Sequence, residues 1–153
     1  MTSENCPCGH DKPYANCCQP MHLGQQTAAD AETLMRSRYS AFVKQDIDYL
    51  LSTLHLDKQQ SDDRQTLQQT CQTTHWLGLN IIDFKSEQNS AEVEFIAFYD
   101  DKIIGQLHER SRFVFENGRW LYVDGDLLPT AKIPRNSACF CGSGDKFKRC
   151  HGR

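Results

Sequence analysis

The stretch that decides the fold reads Ala91-Glu-Val-Glu-Phe-Ile-Ala-Phe-Tyr99. Its side chains at 93, 95, 97 and 99 alternate with Glu92 and Glu94, which is the two-residue period of a strand with one buried face. Asp100-Asp101 follows as a predicted tight turn. Strands buried on one face occur mainly in antiparallel sheets, so we expect partner strands close by in the sequence.

Strand patterns flank this stretch on both sides. Trp76 to Phe84 precedes it, separated by the polar turn at 85–90, and Ile103 to Glu116 follows it. Asn117-Gly118 is the strongest short hairpin signal, and it leads into a last predicted strand at 119–124. The second half of the chain therefore predicts an antiparallel meander.

The residues before Trp76 have a helical period instead. Apolar side chains recur at helical spacing over residues 28–44, with Thr27 and Asp30 as the predicted start signal. Asp46 can cap a second, shorter helix, and residues 62–74 predict a third. Helices followed by a meander indicate an α+β fold, with the helices packed on one face of a curved antiparallel sheet.

Composition and charge restrict the classes of protein to which the chain can belong. The chain has 153 residues, 39% of them hydrophobic, and no apolar run near the ~18 residues of a membrane helix. The polar start Met1-Thr-Ser-Glu-Asn-Cys6 lacks the regions of a signal peptide, so we expect a cytoplasmic protein with reduced thiols and no membrane insertion. The segment 129–153 has six basic residues and one acidic residue, which favours an acidic partner for this end.

The 8 cysteines are concentrated at the two ends of the chain. The first cluster is Cys6-Pro-Cys8 followed after eight residues by Cys17-Cys18, and the second is Cys139-Phe-Cys141 followed after eight residues by Cys150-His151. In both clusters a glycine follows the second cysteine and allows the sharp turn that wrapping a metal requires. The two ends therefore repeat one short motif.

Each cluster offers four soft ligands, Cys₄ in the first and Cys₃His in the second, which are typical of closed structural zinc sites. We expect two Zn²⁺ per chain, and we expect both ends to be disordered without metal because modules this short bury no core of their own. Disulfides, a redox dithiol and an iron site are the alternatives. Cys71 is expected to be a buried small side chain or else a reactive thiol, and His10 and His22 are expected at the surface.

The C-terminal sequence from Asn136 to Gly152, with Cys-Phe-Cys-Gly-Ser-Gly-Asp-Lys-Phe-Lys-Arg-Cys-His at its centre, resembles the SEC-C zinc motif of the translocation ATPase SecA. The N-terminal cluster resembles a diverged copy of it. Between them lie Leu34-Met-Arg-Ser-Arg-Tyr-Ser40, Leu107-His-Glu-Arg-Ser-Arg-Phe113 and Gly118-Arg-Trp-Leu-Tyr-Val-Asp-Gly125. Together these stretches make nearly the whole chain similar to the bacterial YchJ family.

The resemblance implies three parts: a zinc module at 1–22, a central domain at 27–128 with the cone-like cystatin or nuclear transport factor 2-like fold, and a second zinc module at 132–153. By similarity the zinc ligands are Cys6, Cys8, Cys17 and Cys18 in one site and Cys139, Cys141, Cys150 and His151 in the other. In SecA the motif docks onto the chaperone SecB and onto ribosomes. The implied function is a zinc-binding adaptor that docks onto a protein or ribosomal partner through Lys146, Lys148 and Arg149.

A cone-like domain also implies an alternative, an enzyme or a small-ligand-binding protein with a pocket between helices and sheet. The candidate pocket residues are Arg36, Arg38, Tyr39, Glu109 and Ser111, with His55, His108 and Asp124 as further polar candidates. Glu109 is expected to be buried and to pair with Arg36 or Arg38, either as a clamp between helix and sheet or as part of a functional pocket. The sequence has no His-Glu-x-x-His pattern, nucleophile elbow or phosphate-binding loop, so a non-enzymatic binding protein is favoured.

Overall fold

The computed structural model describes residues 4–153, so the first three residues of the predicted N-terminal module lie outside this range. Its α-helices are α1 (Gln19–His22), α2 (Ala31–Lys44), α3 (Ile47–Ser52) and α4 (Asp63–Thr73). Its strands are β1 (Trp76–Ser86), β2 (Ser90–Tyr99), β3 (Gly105–Glu116) and β4 (Arg119–Leu127). Within this range, no helix combines the length and the apolar character needed to cross a membrane.

The strands form one antiparallel sheet in the order β1-β2-β3-β4, so each strand pairs with its neighbour in the sequence. The β3–β4 hairpin turns at Asn117 (φ 53°) and Gly118 (φ 80°), both in the left-handed region that a type I′ turn requires. Irregular pairing interrupts β1 near Leu77 and near Ile82, which adds twist and curvature. The predicted meander is confirmed, with β4 extending three residues beyond residue 124.

Capping determines where the helices begin. Asp30 accepts a hydrogen bond from the backbone N–H of Thr33 (2.8 Å), so α2 begins at Ala31 rather than at residue 28, and Thr27 plays no part in the cap. Asp46 accepts from the N–H of Tyr49 (3.1 Å) and caps α3, as predicted. The third predicted helix is confirmed as α4.

The main core lies between α2 and the inner face of the sheet. Its buried members include Leu34, Met35 and Tyr39 of α2 together with Val93, Phe95, Ala97 and Phe113 of the sheet, each at most 7% exposed. Val93, Phe95 and Ala97 are three of the four inward-facing residues that the alternation in β2 predicts, and the fourth, Tyr99, is half-buried. The α+β fold with helices on one face of a curved sheet is therefore confirmed.

The outer face of the sheet is buried at one end, which the alternation pattern does not predict. Ile96 and Phe98 point away from α2, yet they are only 4% and 1% exposed. The C-terminal module covers them, and the ring of its Phe140 stacks on Phe98 with centroids 3.9 Å apart and an interplanar angle of 9°. Strand β2 is thus buried on both faces over residues 95–98, where four apolar residues follow one another.

The chain that links β4 to the C-terminal module is fastened along β3. The side chain of Gln106 donates to the carbonyl of Ala131 and accepts from its N–H, both at 2.8 Å. His108 lies 2.8 Å from the carbonyl oxygen of Pro129 and 2.9 Å from a carboxylate oxygen of Glu94. Burial lowers the pKa of His108, but its bonds to Glu94 and Pro129 outweigh this effect and raise the pKa above its ordinary value. These contacts hold the linking chain along β3, so that the C-terminal module lies against the outer face of the sheet.

Candidate functional sites: metal centres and cavity

The two terminal modules share their backbone hydrogen bonds position by position. In each, the N–H of the first cysteine bonds the carbonyl six residues later, and an aromatic N–H bonds the carbonyl two residues before that cysteine. These bonds join Cys6 to Lys12 and Tyr14 to Glu4 in one module, and Cys139 to Asp145 and Phe147 to Ser137 in the other, each at 2.8 Å. The aromatic residue begins a 3₁₀ turn that ends at the third cysteine. The sequence repeat is therefore also a repeat of backbone structure.

The N-terminal cluster has the dimensions of a tetrahedral site. The sulfur atoms of Cys6, Cys8, Cys17 and Cys18 all lie within 4.8 Å of one another. Cys8 and Cys17 are 3.5 Å apart and Cys17 and Cys18 are 4.0 Å apart, which brackets the ~3.8 Å between ligands in a tetrahedron with metal–sulfur bonds of ~2.3 Å. All four thiols are free, and three of them are buried. This cluster could hold a metal ion.

The C-terminal cluster has the same dimensions with one nitrogen ligand. The ligand atoms of Cys139, Cys141, Cys150 and His151 lie within 4.8 Å of one another. Nδ1 of His151 is 3.2 Å from the sulfur of Cys139 and 3.3 Å from that of Cys150, and the sulfurs of Cys141 and Cys150 are 3.6 Å apart. Three thiolates and one imidazole match the ligand set of a closed site, so this cluster too could hold a metal ion.

Each cluster contains one thiol with a lowered pKa. Hydrogen bonds from Cys18 and Cys8 lower the pKa of Cys6 and correspondingly raise the pKa of Cys18. Burial raises the pKa of Cys141, but hydrogen bonds from Ser143 outweigh it and lower the pKa to about 7. Because ligand thiols must lose their protons to coordinate a cation, metal affinity at both clusters is expected to rise with pH.

Polar contacts fasten the N-terminal module to α2. Nη1 of Arg36 donates to the carbonyl of Cys8 (2.7 Å), and the thiol of Cys6 lies 3.3 Å from the hydroxyl of Ser40. The ring of His22 lies 2.8 Å from the carbonyl oxygen of Ser37 and packs on Tyr49. His22 is therefore a docking residue and not a surface residue, which corrects the expectation from the sequence.

Both modules border one cleft of about 580 Å³. Pro7 and His10 line it from the N-terminal side, and Phe140 and Gly142 line it from the C-terminal side. Its floor is the beginning of β1, where Gly78 has no side chain and a Cβ atom would lie only 2.2 Å from the carbonyl oxygen of Phe140. The two ends of the chain are therefore brought to the same edge of the sheet.

The basic residues of the C-terminal module lie at its surface. Lys146 and Arg149 are exposed, and Lys148 is half-buried. The N–H of Lys148 bonds the carbonyl of Arg135 (3.0 Å), which adds the exposed Arg135 to the same basic surface. Within residues 4–153, none of these side chains forms an ion pair with a carboxylate.

The central domain contains a cavity of about 290 Å³, partly open to solvent, between α2, α4 and the inner face of the sheet. Three of the predicted pocket residues, Arg38, Tyr39 and Glu109, line it. Ser111 is fully buried beside it and donates a hydrogen bond to Glu109. Arg36 does not belong to this pocket, because it lies against the N-terminal module on another side of α2.

The expected direct pair between Glu109 and an arginine is not formed within the described residues. Arg38, 7% exposed, donates instead from Nη1 to the carbonyl of Leu50 (2.8 Å) and to the hydroxyl of Thr53 (2.6 Å). Its guanidinium also stacks over the ring of Tyr122, 4.7 Å from the centroid. Burial lowers the pKa of Arg38 to about 10, so the group stays charged at neutral pH. The hydroxyl of Tyr122 donates in turn to Glu109 (3.2 Å).

Comparison with known protein families assigns the central domain and the C-terminal module. Residues 30–125 match the family model described as the YchJ middle NTF2-like domain, and residues 135–153 match the SEC-C motif. The chain belongs to the YchJ family. Its curated relatives include a UPF0225 protein of Serratia proteamaculans, 44% identical over 98% of this chain and 99% of the relative. A UPF0225 protein of Vibrio cholerae is 39% identical over 97% of this chain and 99% of the relative.

Solved structures agree with the assignment to the YchJ family. A SEC-C motif containing protein from Psychrobacter arcticus matches with a TM-score of 0.72 and 33% identity, covering 97% of this chain and 96% of the other. Another from Rhodopseudomonas palustris matches with a TM-score of 0.76 and 31% identity, covering 82% of this chain and all of the other. The similarity thus includes most of the chain and not only the metal motif.

Several residues of this YchJ-family chain that position the sites were not singled out as such from the sequence. Tyr122 and Thr53 hold the guanidinium of Arg38, and Phe140 fixes the C-terminal module on the sheet. The sequence itself indicates that Arg36 and Arg38 lie on different sides of α2, because side chains two positions apart on a helix point about 200° apart. Arg36 and Arg38 therefore could not both face the same cavity.

Proposed function

We propose that the chain is a cytoplasmic zinc-binding adaptor. In this proposal residues 1–22 and 132–153 are zinc modules around a central domain at 27–128, and the C-terminal module docks onto a protein or ribosomal partner. Zinc is favoured over other metals because Cys₄ and Cys₃His sets in tetrahedral dimensions are typical of structural zinc. Bound zinc would supply the free energy that holds each short module in its fold.

The observation that carries the docking role is the basic surface of the C-terminal module. Lys146, Lys148 and Arg149 have no acidic partner within the described part of the chain, and Arg135 extends their surface. Cations without partners on a rigid module can pair with carboxylates or phosphates of another molecule. We therefore expect a partner with a negatively charged docking surface, and we expect salt to weaken its binding.

Metal analysis tests the first part of the proposal. Protein purified under reducing conditions without chelator is expected to contain two zinc ions per chain, and Cys6→Ser or Cys139→Ser is expected to lose one each. Cys71→Ser is the matched control, because Cys71 lies in the helical core away from both clusters and should leave two. Less than one zinc per chain in the wild type, or another metal in its place, would contradict this part.

Capture of binding partners tests the docking role. The triple variant Lys146→Gln, Lys148→Gln and Arg149→Gln is expected to lose salt-sensitive binding to purified ribosomes or to acidic proteins identified after capture. The control removes the same charge elsewhere, through the exposed residues Lys12, Lys85 and Lys102. Equal loss in both triple variants, or no loss in either, would count against docking through the C-terminal module.

The cavity of the central domain favours a second candidate function, the binding of a small ligand. Arg38, Glu109 and Asp63 line a space that is otherwise mainly apolar and that the aromatic side chains leave open. Titration with ethylbenzene is expected to shift the NMR signals of cavity residues, and Leu67→Trp, which fills the cavity from α4, is expected to abolish the shifts. Shifts that persist in Leu67→Trp would place the binding elsewhere.

A further inference from the structure

Arg38 and Glu109 both line the cavity but do not satisfy each other, and the third charged residue of its wall, Asp63, accepts a hydrogen bond from the backbone N–H of Gln60 (2.7 Å). Arg38 uses Nη1 for Leu50 and Thr53, whereas its Nε and Nη2 donate to no acceptor among residues 4–153. Glu109 uses Oε2 to accept from Ser111 and Tyr122, whereas its Oε1 accepts from no donor of the described chain. The same cavity thus offers unused donors at one point and an unused acceptor at another.

The chain keeps Glu109 in this position by several independent contacts. Ser111, 0% exposed, and Tyr122 hold its carboxylate from two sides. Gly125, paired with Ser111 across the β3–β4 ladder, leaves the space for it, because a Cβ atom there would lie 2.6 Å from the carboxyl carbon of Glu109. The carboxylate is therefore oriented by the sheet.

The rest of the cavity wall is mainly apolar and aromatic. It is lined by Met35, Phe42 and Leu67 from the helices and by Trp76 and Leu107 from the strands. The buried indole Nε1 of Trp76 is a further donor without a hydrogen-bond partner among residues 4–153. Such a wall favours a hydrocarbon or aromatic body, whereas the two polar ends decide which head group is accepted.

Charge decides between classes of head group. An anion is attracted by Arg38 but repelled by Glu109, whereas a cation is attracted by Glu109 but repelled by Arg38. Either ion therefore leaves one charged group of the protein without a partner of opposite charge. A head group that carries an acceptor beside a donor satisfies both ends with no net charge added.

We propose that the cavity binds an apolar molecule whose head group pairs a hydrogen-bond acceptor, facing Arg38, with a hydrogen-bond donor, facing Glu109. A neutral carboxamide and the zwitterion of an apolar amino acid both have this chemistry. The inference rests on the second candidate function, the binding of a small ligand in the central domain, and it names the class of that ligand.

Four probes with a common phenyl body test the head group in the full-length, metal-loaded protein. Phenylacetamide supplies the neutral acceptor–donor pair and phenylalanine the zwitterionic one, whereas phenylacetate is an anion and phenethylamine a cation. By calorimetric titration, at least one of the first two is expected to bind about tenfold more tightly than both phenylacetate and phenethylamine. The tighter binder of these two shows whether the preferred head group is a neutral carboxamide or a zwitterion.

Glu109→Gln provides a test that loss of folding cannot imitate. Removing this negative charge is expected to raise the affinity for phenylacetate about tenfold and to lower the affinity for phenethylamine. Glu92→Gln removes the same charge from the outer face of the sheet and is expected to change neither affinity. An unchanged phenylacetate affinity in Glu109→Gln would overturn the inference.

Ethylbenzene has no head group, so it distinguishes failure of head-group selection from failure of ligand binding in the cavity. If ethylbenzene shifts the NMR signals of the cavity residues and the four probes bind within threefold of one another, the cavity binds ligands without selecting head groups and the inference fails. If none of the five compounds affects cavity residues, ligand binding in the central domain fails as well.

Discussion

At the scale of single residues, Phe140 connects the C-terminal cysteine cluster to the sheet. It lies between Cys139 and Cys141, so its side chain points away from the ligands, and only 7% of it is exposed. Its ring stacks on Phe98 and its carbonyl approaches Gly78. The corresponding residue of the N-terminal module is Pro7, which has no aromatic ring for such a stack. One position of the repeated motif thus helps to determine which surface each copy contacts.

Phe140→Ala is expected to lower the free energy of unfolding by about 3 kcal/mol, because it leaves a cavity above Phe98 in a well-packed interface. Urea unfolding of the metal-loaded protein measures this change. Phe84→Ala is the matched control, since Phe84 is 56% exposed, and a surface position of this kind is expected to change stability by about 0.5 kcal/mol or less. Similar losses in the two variants would contradict a stacking role for Phe140.

At the scale of elements, the helices differ in how their first turns are capped. Asp30 at the start of α2 accepts a side-chain hydrogen bond from Thr33, whereas Asp62 at the start of α4 makes no such bond. Helix α2 contains the contacts to the N-terminal module, to the cavity and to the core. The first turn of α2 therefore begins a helix that contacts more parts of the molecule than α4 does.

Asp30→Ala is expected to lower the free energy of unfolding by about 1 kcal/mol, the usual cost of losing an N-cap bond. Asp62→Ala removes the same side chain from a helix start without a cap bond and is expected to cost less than half as much. Thermal and denaturant unfolding of the two variants, measured side by side, test this difference. If Asp62→Ala is the more destabilising change, the assignment of the cap is wrong.

The elements that sequence reasoning predicts well are those with local causes. Asn117-Gly118 fixes its hairpin through backbone freedom at two adjacent residues, and Asp46 caps α3 three residues away from its donor. The burial of Ile96 and Phe98 was not predictable in this way, because the module that covers them begins more than 30 residues later in the chain. The ligand clusters were predicted from spacing alone, whereas the separation of Arg38 from Glu109 depends on Tyr122 and Thr53.

At the scale of the whole molecule, the two terminal modules contact opposite layers. The N-terminal module packs against α2 and α3, and the C-terminal module packs against the outer face of the sheet. Both nevertheless meet at the cleft above the beginning of β1. Loss of metal should therefore release both ends while the core between α2 and the sheet persists.

Chelation of metal is expected to accelerate tryptic cleavage at Lys132 and Arg135 by more than about tenfold, because a module of this length loses its fold without metal. Cleavage after the buried Arg38 is expected to stay slow, since it belongs to the core. Mass spectrometry of timed digests measures both rates, and the addition of excess zinc is the control. Equal cleavage at Lys132 and Arg135 with and without chelator would show that the C-terminal module folds independently of metal.

The placement of the modules sets the order in which the protein can be assembled during its synthesis. The N-terminal cysteines emerge from the ribosome before α2 does, and at about 5–20 residues per second the 26 residues from Cys18 to Lys44 delay its emergence by about 1–5 s. The C-terminal cysteines, in contrast, emerge when β1, β2 and β3 are already complete. The thiols of the first cluster therefore emerge before the helix that supports them, whereas those of the second emerge after the strands that support them. Translation thus separates in time two sites that have the same design.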